Sequence, residues 1–286
     1  MALLEVYGVT VQFGGVTAVD DASLSVEGGA VTGLIGPNGA GKTTLFNVIS
    51  GLQHPAKGRV RFRNNDVTKA SVNSRAKAGM GRTFQRLEAF GSLTVRDNVL
   101  VAREIHAGAR SWLRRRPDRV VDELIERVGL NPYVDHRADS VPTGVARLLE
   151  IARALAIEPR LLLLDEPSSG LDEAETDAFG ELLTALAADG VGVLLVEHDM
   201  DLVMSVCDAI HVLEFGRIIA TGTPAEIRAD RAVQAAYLGF VDDSASAAET
   251  TQTLNSLALA DHTATVAGAA AVDTTMELPA VRVDMR

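Results

Sequence analysis

The period of apolar positions changes several times along the chain. From Leu3 to Phe13 apolar and polar residues alternate, the pattern of a strand with one covered face, and Val16 to Val26 repeats it. Ala30-Val31-Thr32-Gly33-Leu34-Ile35 is a short apolar run that meets glycine at Gly36. Between Lys42 and Ser50 the spacing becomes helical, with Leu45, Val48 and Ile49 on one face and Gly51 as a stop. The order predicted is strand, glycine-rich loop, helix.

From Ser92 to Ala156 the pattern is mostly helical, broken at Pro117, Pro132 and Pro142. Two continuous apolar runs follow, Leu161–Leu164 and Val191–Val196. Such runs suit strands covered on both faces, as in a parallel sheet. Glu173 to Ala188 reads as the crossover helix between them. Ala209–Leu213 and Arg217–Ala220 read as a late hairpin turning at Glu214-Phe215-Gly216. The fold expected is α/β, with a mostly parallel sheet, N-terminal antiparallel strands and an inserted helical subdomain at about 88–156. One domain would span 3–240. After it, Val241–Arg286 is rich in Ala, Thr, Ser and Asp and reads as a disordered tail, although Met276–Arg286 regains some alternation.

Composition narrows the function classes. Of 286 residues, 47% are hydrophobic and 23% charged, which suits a globular chain with a sizeable core. A net charge of -11 argues against duplex nucleic acid, whose phosphates call for a basic face. The one basic cluster, Arg110, Arg114, Arg115, Arg116 and Arg119 around Trp112, reads as a solvated face. The lone Cys207 rules out an internal disulfide and reads as a small core residue. No secretory signal is read at the N-terminus. No apolar run approaches the roughly 20 residues that span a bilayer, so a membrane role would need other chains to cross it.

The chemistry concentrates at Gly36-Pro37-Asn38-Gly39-Ala40-Gly41-Lys42-Thr43, which matches GxxxxGK[ST] and runs on into Thr44. Glycines let the backbone wrap a phosphate so that N–H groups point inward, and the following helix adds its positive end. Lys42 can reach the β- and γ-phosphates of ATP, and the Thr43 hydroxyl can ligate Mg²⁺. A charge pair at about 4 Å is worth on the order of 4 kcal/mol at an effective dielectric near 20. The pattern predicts a P-loop NTPase core. Leu161–Leu164 ends in Asp165-Glu166, placing two acids at a sheet edge beside the loop. Asp165 would hold Mg²⁺ through water, and Glu166 would orient or deprotonate the attacking water. Alone, two acids after a strand often just cap a helix. Gln85 and His198 gain weight only from their order in the chain. His54, His106, His136, His211 and His262 read as surface or satisfied core residues.

That order, from Phe13 through the phosphate loop, Gln85, a helical insert, Asp165-Glu166, Ser169-Gly170-Leu171-Asp172 and His198, resembles the nucleotide-binding subunit of ATP-binding cassette (ABC) transporters over about residues 3–240. Gly81-Arg82-Thr83-Phe84-Gln85, Glu197-His198-Asp199-Met200 and Ala236-Tyr237-Leu238-Gly239 are similar to the ATPases of branched-chain amino acid importers. Urea importers and the lipopolysaccharide exporter are related alternatives. The resemblance implies that Phe13 stacks on adenine, and that Gln85 senses Mg²⁺ and the attacking water. It implies that His198 contacts the γ-phosphate and holds Glu166, and that Asp172 lies at a dimer interface. It implies integral membrane permease subunits and a second ATP-binding subunit as partners, a solute-binding protein indirectly, and a peripheral place at the cytoplasmic membrane face. Phe90, Leu93 and Val95 resemble a groove for a permease helix and equally suit ordinary core.

One stretch departs from the family. The signature loop expected as LSGGQ or LPYGQ is Val141-Pro142-Thr143-Gly144-Val145 here. Gly144 keeps close backbone approach possible and Thr143 supplies a hydroxyl. Val145 lacks the donor of glutamine, and Ala146 replaces another polar residue. Since each ATP lies between one subunit's phosphate loop and the other's signature, this predicts a heterodimer with two unequal sites. A non-transport ABC ATPase acting on ribosomes or DNA and a small-molecule P-loop kinase are the competing classes. The short insert, without heptads, speaks against the chromosome-organising members of the first. The Gln85, signature-region and His198 series speaks against the second.

Overall fold

The computed structural model describes residues 2–83, 88–107 and 119–238. The tail from 241, Gln85 and most of the arginine cluster lie outside these residues.

The N-terminal alternation becomes β1 (Ala2–Phe13) and β2 (Val16–Glu27), an antiparallel hairpin. The alternation is not continuous. Leu4 and Val6 are buried, then Val9 and Val11, so parity changes across Gly8. Gly8 has φ +54, and pairing slips there against both neighbouring strands, which makes a β-bulge. The apolar run before the glycine loop is β3 (Val31–Ile35), buried along its length, and Lys42–Ser50 is α1. Leu45, Phe46, Val48 and Ile49 of α1 are fully buried, each worth about 1.5–3 kcal/mol by transfer. The helix ends on Gly51 in the left-handed conformation.

Next come β4 (Lys57–Phe62), β5 (Asn65–Asp66), α2 (Val72–Lys77) and β6 (Met80–Arg82). The helical insert holds α3 (Val95–Ala107), α4 (Arg119–Arg127), a 3-10 turn at Asn131–Tyr133 and α5 (Thr143–Leu155). Then follow β7 (Leu161–Asp165), α6 (Glu173–Ala188), β8 (Gly192–Val196) and α7 (Met200–Val206). The late hairpin is β9 (Ala209–Glu214) with β10 (Arg217–Gly222), followed by α8 (Pro224–Ala229) and α9 (Arg231–Leu238).

Two sheets form. β2-β1-β4-β5 is antiparallel, and β10-β9-β3-β8-β7-β6 is parallel except at β10. The larger sheet separates two cores. Leu161 and Leu163 face α1 and the smaller sheet, while Leu162 and Leu164 face the helices α3 to α7. Both faces are covered, which is why β7 and β8 read as unbroken apolar runs. Cys207 is buried beside the second core, and burial pushes its thiol up to about 12. His211 is a satisfied core residue: Nε2 donates to Ser25 O at 3.1 Å and Nδ1 accepts from the Thr221 hydroxyl at 2.9 Å. Val95 is fully buried, so it is core, whereas Phe90 remains 46% exposed.

Candidate functional site

The order β9-β3-β8-β7 puts three strand ends side by side. β3 delivers the phosphate loop, β8 delivers Glu197 and His198, and β7 delivers Asp165 and Glu166. Ligands of parallel sheets gather at this carboxyl edge. A cavity of about 330 Å³ opens there, lined by Ala18, by Asn38 through Thr44 and by Glu166.

Backbone crowding dictates the glycines of the loop. A Cβ on Gly36 would lie 1.9 Å from the Leu213 carbonyl, and one on Gly41 2.4 Å from the Ala18 carbonyl. Both have positive φ, +151 and +104. Lys42 curls back over the loop, its Nζ donating to Gly36 O at 2.5 Å and Pro37 O at 3.0 Å. Burial pulls its ammonium below the usual lysine value, and Glu166 and Asp165 partly oppose that. Ala40 is buried, while Thr43 is exposed at the first turn of α1. Phe13 is half exposed at the tip of the β1–β2 hairpin, paired with Val16.

Asp165 is 2% exposed. Its Oδ2 lies 3.5 Å from the Arg82 guanidinium, and its Oδ1 has no hydrogen-bond partner among the described residues. Burial raises its carboxyl above the usual range, against the opposing pull of Arg82. An orphaned, buried carboxylate oxygen beside the phosphate loop, with the Thr43 hydroxyl on the same loop, is a hard-oxygen donor set that fits Mg²⁺. Glu166 stands next to it with φ +50, a strained backbone for a residue other than glycine. Its N–H donates to Val196 O at 2.9 Å, which ties the ends of β7 and β8.

Two residues enter the site that the sequence pattern does not single out. Arg82 bonds Asn47 Oδ1 at 2.9 Å and Ser50 Oγ at 2.6 Å, and covers the Phe46 ring at 5.2 Å. It bridges α1 and Asp165. Glu197 is buried and accepts from the N–H groups of Ser168 at 2.8 Å and His198 at 3.1 Å. The sequence marks it only by its place after a strand and by the string Glu197-His198-Asp199-Met200, which assigns it no role.

The expected contact between His198 and Glu166 is absent among the described residues. The His198 side chain is 70% exposed and stands 3.6 Å from Glu197 instead. At the start of α5, Thr143 is exposed but Gly144, Val145 and Ala146 are buried. Val145 belongs to the helical core, so packing accounts for its apolar side chain. A Cβ on Gly144 would meet the Glu175 carboxylate at 2.8 Å. Asp172 caps α6 in a reciprocal pair with Glu175.

Beyond this edge, Arg82 and Ile157 line two neighbouring cavities of about 210 and 190 Å³. The smaller adds Leu52, Val72, Ala76 and Met80, of which Leu52 is 52% exposed.

Comparison with known proteins gives consistent findings. The ABC transporter family model matches residues 19–169, and the model of the branched-chain amino acid ATP-binding cassette transporter matches 217–239. The chain is 40% identical over 249 residues to the high-affinity branched-chain amino acid transport ATP-binding protein BraF of Pseudomonas aeruginosa, covering 83% of this chain and 98% of BraF. LivG of Escherichia coli, of the same description, is 38% identical with the same coverage. The lipopolysaccharide export system ATP-binding protein LptB of Haemophilus influenzae is 36% identical over 221 residues, 77% of this chain and 90% of LptB. A nucleotide-free ATP-binding cassette from an ABC transporter matches with a TM-score of 0.75 at 31% identity, covering 84% of this chain and all of that one. The cbiO1 protein of Clostridium perfringens, part of the ABC transporter complex cbiONQ, matches at 0.71 and 28%, covering 81% and 92%.

Proposed function

The chain belongs to the ABC transporter family, and from that premise we propose that it is the ATP-hydrolysing subunit of an importer for branched-chain amino acids. The observation that carries the ATPase chemistry is the convergence of the phosphate loop and Glu166 on one cavity at the sheet edge, with the buried Asp165 close enough to act on the Lys42 charge. The solute is supported by the two relatives named for that transport and by the match over 217–239.

In this reading Phe13 stacks on the adenine, and the N–H groups of Gly36 through Thr44 receive the phosphates. Lys42 leaves the Gly36 and Pro37 carbonyls for the phosphate oxygens. Thr43, Asp165 and Gln85 would hold Mg²⁺, which would supply charge neutralisation to the phosphates. Glu166 orients the water and accepts its proton. His198, now at the surface, turns inward toward the γ-phosphate and Glu166. Thr143, Gly144 and Asp172 face a second cassette. Pro142 matches LPYGQ, and the burial of Val145 and Ala146 accounts for the two residues on which a different chain in that place was expected, so Thr143 is the one exposed departure left in its favour.

No helix among the described residues is long and apolar enough to cross a membrane. We place the subunit at the cytoplasmic membrane face, against permease subunits. The exposed Leu52, Val72 and Phe90 beside the two neighbouring cavities are the apolar surface for that contact. A solute-binding protein acts on the other side.

Co-expression with membrane subunits and a solute-binding protein, then reconstitution in vesicles, tests this. The expected outcome is a second cassette in the purified complex and ATP-driven uptake of labelled leucine, isoleucine or valine. Glu166→Gln should keep nucleotide binding and abolish uptake. ATP turnover by a complex that moves none of the three amino acids would remove the solute assignment.

A further inference from the structure

The outer side of the phosphate loop is fitted to the turn between β9 and β10 by backbone alone. Gly216 N–H donates to Ala40 O at 2.8 Å, and Asp20 N–H donates to Gly216 O at 2.8 Å. A Cβ on Gly216 would fall 3.0 Å from the Ala18 carbonyl. With the close approaches of Gly36 to the Leu213 carbonyl and Gly41 to the Ala18 carbonyl, three segments meet backbone to backbone. These are Ala18–Asp20 of β2, the loop, and Leu213–Arg217. One ion pair closes the assembly from outside. Arg217 Nε and Nη2 both donate to Asp20 Oδ2, at 2.9 and 2.6 Å.

The turn itself carries a second sign. Its two central residues, Phe215 and Gly216, have φ of +46 and +81, the handedness of a type I′ hairpin turn. That turn favours Asn, Asp or Gly at its first central position. A bulky residue there is strained, and Phe215 is 86% exposed, so burial of its ring does not compensate. The conformation is therefore imposed by what the turn is attached to. It is attached to β9 and β10, whose two-residue connection takes this handedness, and to β2 and the phosphate loop.

We propose that Asp20 and Arg217 form a positioning latch for the nucleotide site, holding the β9–β10 turn against the phosphate loop so that the loop's N–H groups stay set for phosphate. The inference rests on the reading that the loop binds ATP. An ion pair this exposed adds little to fold stability, so the latch is not a stability device. Its effect lies in placement, because N–H groups bond a phosphate oxygen less well as distance and angle leave the preferred geometry.

The test uses the full chain with Asp20→Ala, Arg217→Ala and the double variant. ATP affinity is measured by calorimetry, KM and kcat by turnover, and Tm by thermal melting. Each single variant should raise Kd and KM for ATP about fivefold, equivalent to about 1 kcal/mol. The value of kcat at saturation and Tm should hardly move. The double variant should be no worse than the weaker single one, because both remove the same contact. Wild-type affinity in the single variants, or additive losses in the double, would overturn the latch. Lys42→Ala separates the two readings. If the wild type binds ATP and Lys42→Ala does not, the site is real and the Asp20 and Arg217 variants judge the latch alone. If the wild type binds no ATP, the underlying assignment fails and the latch with it.

Discussion

Arg82 holds three kinds of contact at once: the ion pair to Asp165, hydrogen bonds to Asn47 and Ser50, and the face of the Phe46 ring. Its side chain is only 10% exposed, and burial lowers its guanidinium from the usual arginine value while Asp165 opposes the shift. Removing one partner of a buried pair leaves the other charge uncompensated, at a cost of about 3–5 kcal/mol. Arg82→Met should therefore lower the urea unfolding free energy by about 3 kcal/mol or more. Arg82→Lys should recover only part of this, since an ammonium cannot reproduce the planar fork. A loss within experimental error for Arg82→Met would show that Asp165 is satisfied in another way. The sequence marks Arg82 only as a letter in the string Gly81–Gln85. Its partners lie on α1 and at the end of β7, and no local period reports contacts between such distant segments. Lys42 and Asp165 were legible for the opposite reason: loop spacing and strand ending are local signals.

Among elements, α1 is fixed at both ends by different means. Its first turn carries the phosphate loop. Its last turn is held by Arg75 of α2, which is 1% exposed and donates to Val48 O at 2.7 Å and Ile49 O at 2.6 Å. The same guanidinium bonds Ala70 O and Thr68 O at 3.1 Å each. Burial pushes its pKa down to about 10, so it stays charged at neutral pH, at the negative end of the helix. Arg75→Met would strand four carbonyls, and a loss of roughly 3 kcal/mol in denaturant unfolding is expected. Amide exchange should show the last turn of α1 opening first; protection unchanged there would refute the capping role. Helices such as α1 and α6 were readable because an apolar face and a glycine or acidic cap agree. The strands β5 and β6 were not, because two and three residues have no period to read.

At the scale of the whole molecule, His211 joins the two sheets. It bridges Thr221 of β10 and Ser25 of β2, and burial lowers its pKa from the ordinary 6.5. Below that value the unfolded chain takes up a proton that the folded chain resists. Stability from this residue is thus complete above about pH 6.5 and is lost as pH falls through the lower folded-state value. Urea midpoints at pH 7.5 and 5.5 should differ in the native chain, and His211→Gln should reduce the difference; an equal slope in both would refute it. The architecture itself was legible: covered parallel strands gave unbroken apolar runs, and the half-covered hairpin gave alternation. What alternation concealed is the bulge at Gly8. Without that glycine, Leu4, Val6, Val9 and Val11 would fall on one side of an unbroken strand, and the core would be filled as before. The difference would appear at the far end, at the hairpin tip that carries the exposed Phe13. A bulge bends and twists its strand, so one surplus residue acts as a steering angle for an aromatic ring five positions away. Shortening the chain there would keep the buried row and change only the direction in which the ring is presented.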